Sequence, residues 1–434
     1  MMERLSAAQK FDNAANPLLV KDARQSMREL VFSLAALAAM LLVLTVIIIS
    51  TGNSGTGLFK ILRFALTAVL GLTALAGGSR LGSERSGGDD LLFLTTLSPW
   101  RIVLGKFTAV MAAAAVLWFV FLPFLIAAWT LRGIDLSTFA NGMFQPLFWL
   151  PPFTAMTMIF AAIRTHNAGG KMVFPAAILA LTLFGMTAIP ASETPKAWIS
   201  LAVAAGLLTV VGLSLAQAAL MPANGNRMPW PRFWGLVSVA VLAAFAPWLT
   251  ATAPAAAAVI AAIMALVGSC EPLEIPRRAR VEAPRNPAMR VFHFLFASGA
   301  APAWVYSLLT AAIVWYAGNP GFSWSARYTG LFFYAIFYVT LCWIIRRALA
   351  GYGPAARHPV LVPALVFGTV TAASAIIMQF IVHDPGVWLF FSPLELAYNA
   401  ECARIGLISS LALMTAAVLY SLPQAIASAM KFKK

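Results

Sequence analysis

Residues 83–106 read SERSGGDDLLFLTTLSPWRIVLGK and lie between two apolar runs, the second of which extends from Phe107 to Leu131. Four basic residues lie in or beside this stretch: Arg80, Arg85, Arg101 and Lys106. Loops on the cytoplasmic side of membrane proteins carry an excess of Lys and Arg, so we expect this stretch to face the cytoplasm. Its leucines suit docking against a surface better than free solvation. The pattern predicts an amphipathic cytoplasmic segment between two membrane-spanning helices.

The composition excludes a soluble globular protein. The 434 residues are 61% hydrophobic and 10% charged, whereas soluble domains carry about 25% charged residues. Lipid offers no hydrogen-bond partner to the backbone, so long charge-free runs must be helical, and a span needs about 20 residues. The fold class predicted is an all-α, polytopic membrane bundle. The charge-free runs are Leu30–Phe59, Phe107–Leu131, Leu136–Ile163, Ala197–Asn226, Phe233–Cys270, Leu331–Ile345 and Ile405–Met430.

These runs predict about twelve transmembrane helices. The run Phe233–Cys270 is too long for one helix, and Pro247 with Pro254 supplies a reversal inside it. The predicted domains are a cytoplasmic amphipathic segment at 1–29, a six-span region at 30–218 and a second six-span region at 219–434. The predicted spans are 30–50, 59–78, 107–130, 146–163, 172–190, 197–218, 233–250, 254–270, 302–318, 327–345, 359–382 and 405–427.

The distribution of basic residues orients these spans. If both termini are cytoplasmic, 24 of the 30 Lys and Arg residues fall in cytoplasmic segments, as the positive-inside rule requires. The net charge of +15 then reflects topology and contact with anionic lipid headgroups, and it does not indicate nucleic-acid binding. The sequence predicts a multi-pass protein of the cytoplasmic (inner) membrane.

Sequence patterns for catalysis and for cofactors are few. The string Gly169-Gly170-Lys171-Met172 lacks the first glycine and the hydroxyl residue of a P-loop, so we do not expect this chain to bind ATP. The four histidines form no metal-binding spacing. The pair Asp89-Asp90 could hold Mg²⁺ in an enzyme of polyprenyl diphosphates, but no second acidic cluster accompanies it, so the N-terminus of a helix, whose dipole favours acidic residues, is the preferred interpretation. We therefore predict no enzyme, no metal and no cofactor.

Acidic residues on the predicted outer side leave one enzymatic alternative open. They could serve a multispan enzyme acting on lipid-linked substrates, of the glycosyltransferase or prenyltransferase kind, although the first outer loop, residues 51–57, has no carboxylate. Ion-coupled transport is disfavoured because few spans carry the ionisable groups it needs. A scaffold without transport activity is a further alternative. The outer acidic residues are Asp135, Glu193, Asp384, Glu395 and Glu401.

The 83–106 segment resembles the cytoplasmic segment after the second span of ABC-2 type transporter permeases. That family reads Glu-Arg, a Gly-Thr-Leu-Glu-like step, leucines, Thr-Pro-Leu-Ser and Ile-Val-x-Gly-Lys; here the step is Gly88-Asp89-Asp90-Leu91, and no proline follows the threonines. The segment 16–25, NPLLVKDARQ, also looks like the stretch before that family's first span. Beyond Lys106 the similarity is one of hydropathy alone. The resemblance implies an ATPase-coupling segment with Glu84, Arg85, Gly88, Asp89, Asp90, Leu91, Leu92, Thr95 and Leu97, and a membrane-entry segment with Asn16, Pro17, Lys21, Arg24 and Arg28.

The resemblance implies a permease subunit of an ATP-binding cassette exporter, driven by a separate P-loop ATPase that binds the ATP. It implies that a short helix around residues 89–97 contacts the ATPase; the alternative is an interfacial helix lying on lipid. Twelve spans fit either a homodimer of chains with accessory spans or one pseudo-duplicated chain. The basic loop 271–302, in which Asn286-Pro287 is faintly similar to Asn16-Pro17, is either a solvated linker or a second coupling element. The substrate stays open among lipids, glycans and hydrophobic small molecules.

Overall fold

The computed structural model of the chain is all-helical wherever it is described. The chain divides by its internal packing into two units, Met1–Met221 and Pro222–Lys434. The predicted all-α class is confirmed for the described ranges, in which no strand occurs. The described residues are 55–86, 98–130, 133–162, 195–222, 225–246, 248–249, 252–317, 337 and 339–348, with 415, 419, 423 and 426.

The first unit contains four long helices in the described ranges. They are α1 (Gly55–Ser86), α2 (Pro99–Thr130), α3 (Leu136–Ala162) and α4 (Pro195–Leu220). Helix α1 packs on α2 and α3, and α3 packs on α4. Leucines of α1, including Leu62 and Leu66, are fully buried against α2 residues such as Phe121. The aromatic rings of Phe59, Trp129 and Phe139 meet where α1 and α3 begin and α2 ends.

The outward face of α2 is as apolar as its buried face. Ala112, Val116, Phe119, Pro123 and Ile126 form an exposed stripe at helical spacing, and Phe119 is 63% exposed. A helix on the surface of a soluble protein carries polar residues on this face. An apolar stripe of this kind is stable against lipid.

Three of the described helices are long and apolar enough to cross a membrane: Thr56–Glu84, Pro99–Thr130 and Trp198–Leu220. A fourth span results if the consecutive helices Pro287–Phe296 and Ala300–Val314 count as one bent segment. This identifies several helices that suit a bilayer. The twelve-span count reaches into ranges outside the described residues and stays a prediction.

Helices α1 and α2 are longer than the sequence predicts. Each has 32 residues, or about 48 Å at 1.5 Å per residue, against about 30 Å of hydrocarbon. The predicted spans 59–78 and 107–130 lie within these two helices, which continue beyond the spans at the end that carries the charges. The excess includes Arg80 and Glu84 on α1 and Arg101 on α2, so the shared charged end of both helices extends beyond a hydrocarbon layer. Only residues 87–98 separate the two helices.

The second unit contains shorter helices. They are α5 (Pro229–Ala244), α6 (Thr252–Ser269), α7 (Arg277–Val281), α8 (Pro287–Phe296) and α9 (Ala300–Ala317), followed by helical residues 339–348. Helices α5, α6 and α9 pack on one another. The apolar run Phe233–Cys270 is thus two helices, as its prolines predict. Helix α5 has 16 residues, about 24 Å, and exposed Trp230 and Trp248 lie at its two ends, as in the aromatic belts of membrane proteins.

Candidate functional site

An ion pair joins the charged ends of α1 and α2. The Lys106 ammonium lies 2.9 Å from both carboxylate oxygens of Glu84, and it is 4% exposed while Glu84 is 25% exposed. Burying an ammonium without a partner would cost several kcal/mol, so the pair is what permits Lys106 to lie inside the helix packing. Lys106, the last residue of the predicted cytoplasmic segment 80–106, therefore lies inside helix α2. We call residues 87–97, which link the two helices, the connector. The ion pair joins α1 to α2 close to this connector.

The far end of the connector is fixed by a helix cap. Ser98 precedes Pro99, and its hydroxyl oxygen accepts a hydrogen bond from the Arg101 amide at 3.4 Å. Serine at the N-cap and proline at the first helical position are the residues that favour a helix start. The string Ser98-Pro99-Trp100-Arg101 therefore sets where α2 begins, and it does so two helical turns before Lys106.

Close packing holds the last turns of α1 against α3. A Cβ atom at Gly78 would lie 2.9 Å from Cβ of Thr157, and one at Gly82 would lie 3.8 Å from Cα of Ala161. Thr157 also donates a hydrogen bond to the Ala74 carbonyl at 3.1 Å. Small residues let the two backbones approach, which is how helices associate in lipid. The charged end of α1 is therefore packed against α3 as well as joined to α2.

The structure describes only part of the predicted coupling segment. Glu84 and Arg85 lie in the last turn of α1, so they belong to a spanning helix rather than to the polar interruption that the sequence predicts. The remaining candidates lie outside the described residues. They are Gly88, Asp89, Asp90, Leu91, Leu92, Thr95 and Leu97 in the connector, and Asn16, Pro17, Lys21, Arg24 and Arg28 in the N-terminal segment.

A second polar site lies inside the second unit. Arg232, in the first turn of α5, is 1% exposed and donates to Glu271 Oε1 at 2.5 Å. The same guanidinium donates to the carbonyls of Leu295 at 3.0 Å and Gly299 at 3.3 Å. The second carboxylate oxygen of Glu271 accepts from the Gly299 amide. We call Arg232, Glu271, Gly299 and Arg346 the buried polar cluster.

The buried polar cluster brings together one end of each of the helices α5, α6 and α9, the three longest that the structure describes in the second unit. Arg346, on residues 339–348, donates to the carbonyls of Ser269 at 2.5 Å and Glu271 at 2.7 Å, where α6 has ended. Gly299 has φ of +137° and begins the turn into α9, a conformation that side chains other than glycine rarely adopt. Tyr306 of α9 donates to the Arg232 carbonyl at 2.8 Å.

The loop 271–302 is buried at both ends, whereas most of residues 277–292 are exposed. Glu271 is 4% exposed, Ala279 is fully buried, and the stretch from Phe296 through Ala301 is buried as well. The sequence interpretation missed Arg232 and Glu271 as partners because each was counted only as a charge in a loop. One signal was present: Glu271 directly follows a 38-residue charge-free run, so it had to lie near the end of a membrane helix.

Burial governs the acid–base behaviour of this cluster. Complete desolvation raises the pKa of the Glu271 carboxyl above its ordinary value, while the Arg232 charge and the Gly299 amide oppose that rise. Desolvation likewise raises the pKa of the neighbouring Cys270 thiol. The cluster is thus a structural junction whose polar groups satisfy one another. Within the described ranges, no three His, Cys, Asp or Glu side chains are placed to hold a metal ion.

No protein-family model matches the chain, and no curated protein or solved structure matches it.

Proposed function

We propose that this chain is the membrane-spanning permease subunit of an ATP-driven exporter of the ATP-binding cassette type, resembling ABC-2 permeases. A separate P-loop ATPase would bind and hydrolyse the ATP, and this chain would supply the substrate path. The proposal rests on the sequence of the connector, on the absence of a P-loop from the chain, and on the apolar outward faces of its helices. Lipids, glycans and hydrophobic small molecules are the candidate substrates.

The Glu84–Lys106 ion pair is the observation that carries the proposal. A force applied to a flexible loop would be lost in the loop, because a loop can change its dihedral angles without moving its ends. Here the connector begins and ends on two helices that are joined by a buried ion pair, and one of them is packed closely on α3. Displacement of the connector would therefore tilt α1, α2 and α3 together.

The proposed contacts of the ATPase are Glu84, Arg85 and the connector residues from Gly88 to Leu97. Leu91, Leu92 and Leu97 would supply the apolar face of a short helix that seats in the ATPase. Asp89 and Asp90 disfavour the alternative in which this helix lies on anionic lipid. The N-terminal segment, with Pro17 and its basic residues, would lie at the membrane surface before the first span.

The proposed topology has twelve spans with both termini in the cytoplasm of a bacterial-type inner membrane. In the first unit, Arg80, Arg101 and Lys106 lie at one shared end of α1 and α2, as a cytoplasmic end requires. In the second unit, Arg232 and Arg346 likewise meet at Glu271, six residues before the basic helix α7. A homodimer would provide two connectors for two ATPases; a pseudo-duplicated single chain is the alternative.

Purification with the partner tests the proposal. The full chain is tagged, extracted from its native membrane, and assayed for a co-purifying P-loop ATPase and for ATP turnover. We expect Leu92→Asp to lower turnover and co-purification, because a carboxylate desolvated without a partner costs several kcal/mol, roughly tenfold or more in occupancy.

The matched control is Leu136→Asp, an exposed leucine where α3 begins, at the end of the first unit away from the connector. It should leave ATP turnover unchanged. The proposal fails if no ATPase co-purifies, or if both variants behave alike. Activity that survives without a partner and is lost in Glu395→Gln would instead support the membrane-enzyme alternative.

A further inference from the structure

The exposed face of α8 is apolar. Met289, Val291 and Phe292 are 59%, 72% and 57% exposed, on a helix of ten residues. The polar side chains of the same helix turn toward the protein: Arg290 donates to the carbonyl of Pro284, and a ring nitrogen of His293 lies 3.0 Å from the carbonyl of Ala279. A helix that faces water presents its polar side chains outward and its apolar side chains inward. Helix α8 does the reverse, so its exposed face suits contact with an apolar environment.

Exposed arginines lie on α7, which contacts α8 through the Ala279 carbonyl and His293, and in the turn before α8. Arg277, Arg278 and Arg280 lie on the five-residue helix α7, and Arg285 lies one residue before the cap of α8. Arg278 has a partner in Glu282 at 2.9 Å, but that pair is largely exposed and leaves the guanidinium accessible. An apolar face beside several guanidinium groups has the chemistry of a surface that enters the boundary between acyl chains and phosphates.

The buried polar cluster fixes the direction of α8. The axis of α8 is bent by 92° from that of α9. Arg232 fixes the last turn of α8, because its guanidinium donates hydrogen bonds to the carbonyls of Leu295 and Ala297. Phe296 packs between Phe292 and Phe233. If α9 runs across the membrane, α8 lies parallel to the membrane plane at its surface.

We propose that α8, with the arginines of α7, is an interfacial element that inserts into the anionic headgroup layer of the membrane. Met289, Val291 and Phe292 contact the upper acyl chains, and the arginines bind lipid phosphates. The in-plane direction and the positive charge favour lipid over a protein partner, because an anionic leaflet is both flat and negatively charged. The element also anchors the end of the second unit at a fixed depth through the buried polar cluster. This inference does not depend on the proposed transport function.

Fluorescence quenching in vesicles tests the proposal directly. The three cysteines, Cys270, Cys342 and Cys402, are replaced by alanine, and the environment-sensitive dye NBD is attached at Val291→Cys or at Arg278→Cys in the full chain. The protein is reconstituted in vesicles of phosphatidylcholine and phosphatidylglycerol. At position 291 we expect nitroxide-labelled lipid to quench the dye and aqueous iodide to quench it at least about threefold less than at position 278.

Native mass spectrometry provides a second measurement that needs no cysteine replacement. We expect the triple variant Arg277→Gln, Arg278→Gln, Arg280→Gln to retain fewer phosphatidylglycerol molecules than the natural protein, with each arginine contributing roughly fivefold in affinity. The control variant is Lys60→Gln with Lys196→Gln, two exposed lysines of the first unit, which should retain the lipid unchanged.

Three outcomes overturn the proposal. The first is iodide quenching at position 291 as strong as that at position 278. The second is phosphatidylglycerol retention that is equal in the arginine variant and the natural protein. The third is protection of position 291 that requires added soluble protein, since the face would then be a protein docking surface.

Discussion

Replacing Glu271 with glutamine should destabilise the second unit strongly. The substitution keeps the side-chain size and an oxygen that can accept from the Gly299 amide, but it removes the negative charge 2.5 Å from Arg232. The two side chains are 1% and 4% exposed, and removing one partner of such a pair costs about 3–5 kcal/mol because the other charge stays buried. For a unit of this size, that corresponds to a fall in melting temperature of roughly 6–20 °C.

Thermal unfolding of the purified full chain, followed by tryptophan fluorescence, measures this effect. Eight of the thirteen tryptophans lie in the second unit, and two of them, Trp304 and Trp343, lie 5.9 Å apart between ring centroids, so the signal includes this region. Glu282→Gln is the matched control: it breaks the Arg278–Glu282 pair, whose side chains are 72% and 47% exposed. We expect the control to cost less than about 0.5 kcal/mol.

Equal melting temperatures for the two variants would refute the reasoning. The buried polar cluster would then tolerate an uncompensated guanidinium, and the Arg232–Glu271 pair would contribute nothing to the free energy of unfolding. A larger loss for Glu271→Gln than for Glu282→Gln is the outcome that the geometry requires.

Three further predictions concern other sites. Glu84→Gln and Lys106→Met, combined in a double-mutant cycle on thermal stability, should show a coupling of about 1.5–3 kcal/mol, and additive effects would mean that the pair does not form. Gly78→Ala should destabilise the protein by about 1–3 kcal/mol, because its Cβ atom would overlap α3. Gly57→Ala is the control and should be neutral or slightly stabilising, because a Cβ atom there would meet nothing within 4 Å. The opposite order of melting temperatures would contradict the described packing. Cys270, whose pKa is raised by burial, should react with maleimide at pH 7.5 more slowly than a free thiol and faster as the pH rises, as peptide mapping can measure. Labelling at pH 7.5 as fast as that of a free thiol would contradict this prediction.

The helical class and the general position of the helices follow from hydropathy alone. Long charge-free runs leave the backbone no alternative to a helix in lipid. The reversal between α5 and α6 was also predictable, because Pro247 and Pro254 interrupt a run that is too long for one crossing.

The charged end that α1 and α2 share was not predictable in this way, although α4, α6 and α9 begin and end within two residues of their predicted spans. Hydropathy stops at the first charge, but the α1 helix continues through Arg80 and Glu84 to Ser86. Its continuation is stabilised by Lys106, which lies 22 residues later and on another helix. The Arg232–Glu271 pair spans 39 residues and was missed for the same reason. A local sequence pattern shows that a residue is charged, but whether that residue can be buried depends on a partner that is distant in the sequence.

The central claim is that the connector between α1 and α2 is the contact site of a separate ATPase. Site-specific photo-crosslinking from p-benzoylphenylalanine at Leu92, in native membranes and with the same probe at Leu136 for comparison, tests it most directly. We expect a crosslink from position 92 alone to a protein that contains a P-loop. A probe at position 92 that captures only lipid, or that captures no nucleotide-binding protein, would contradict the account.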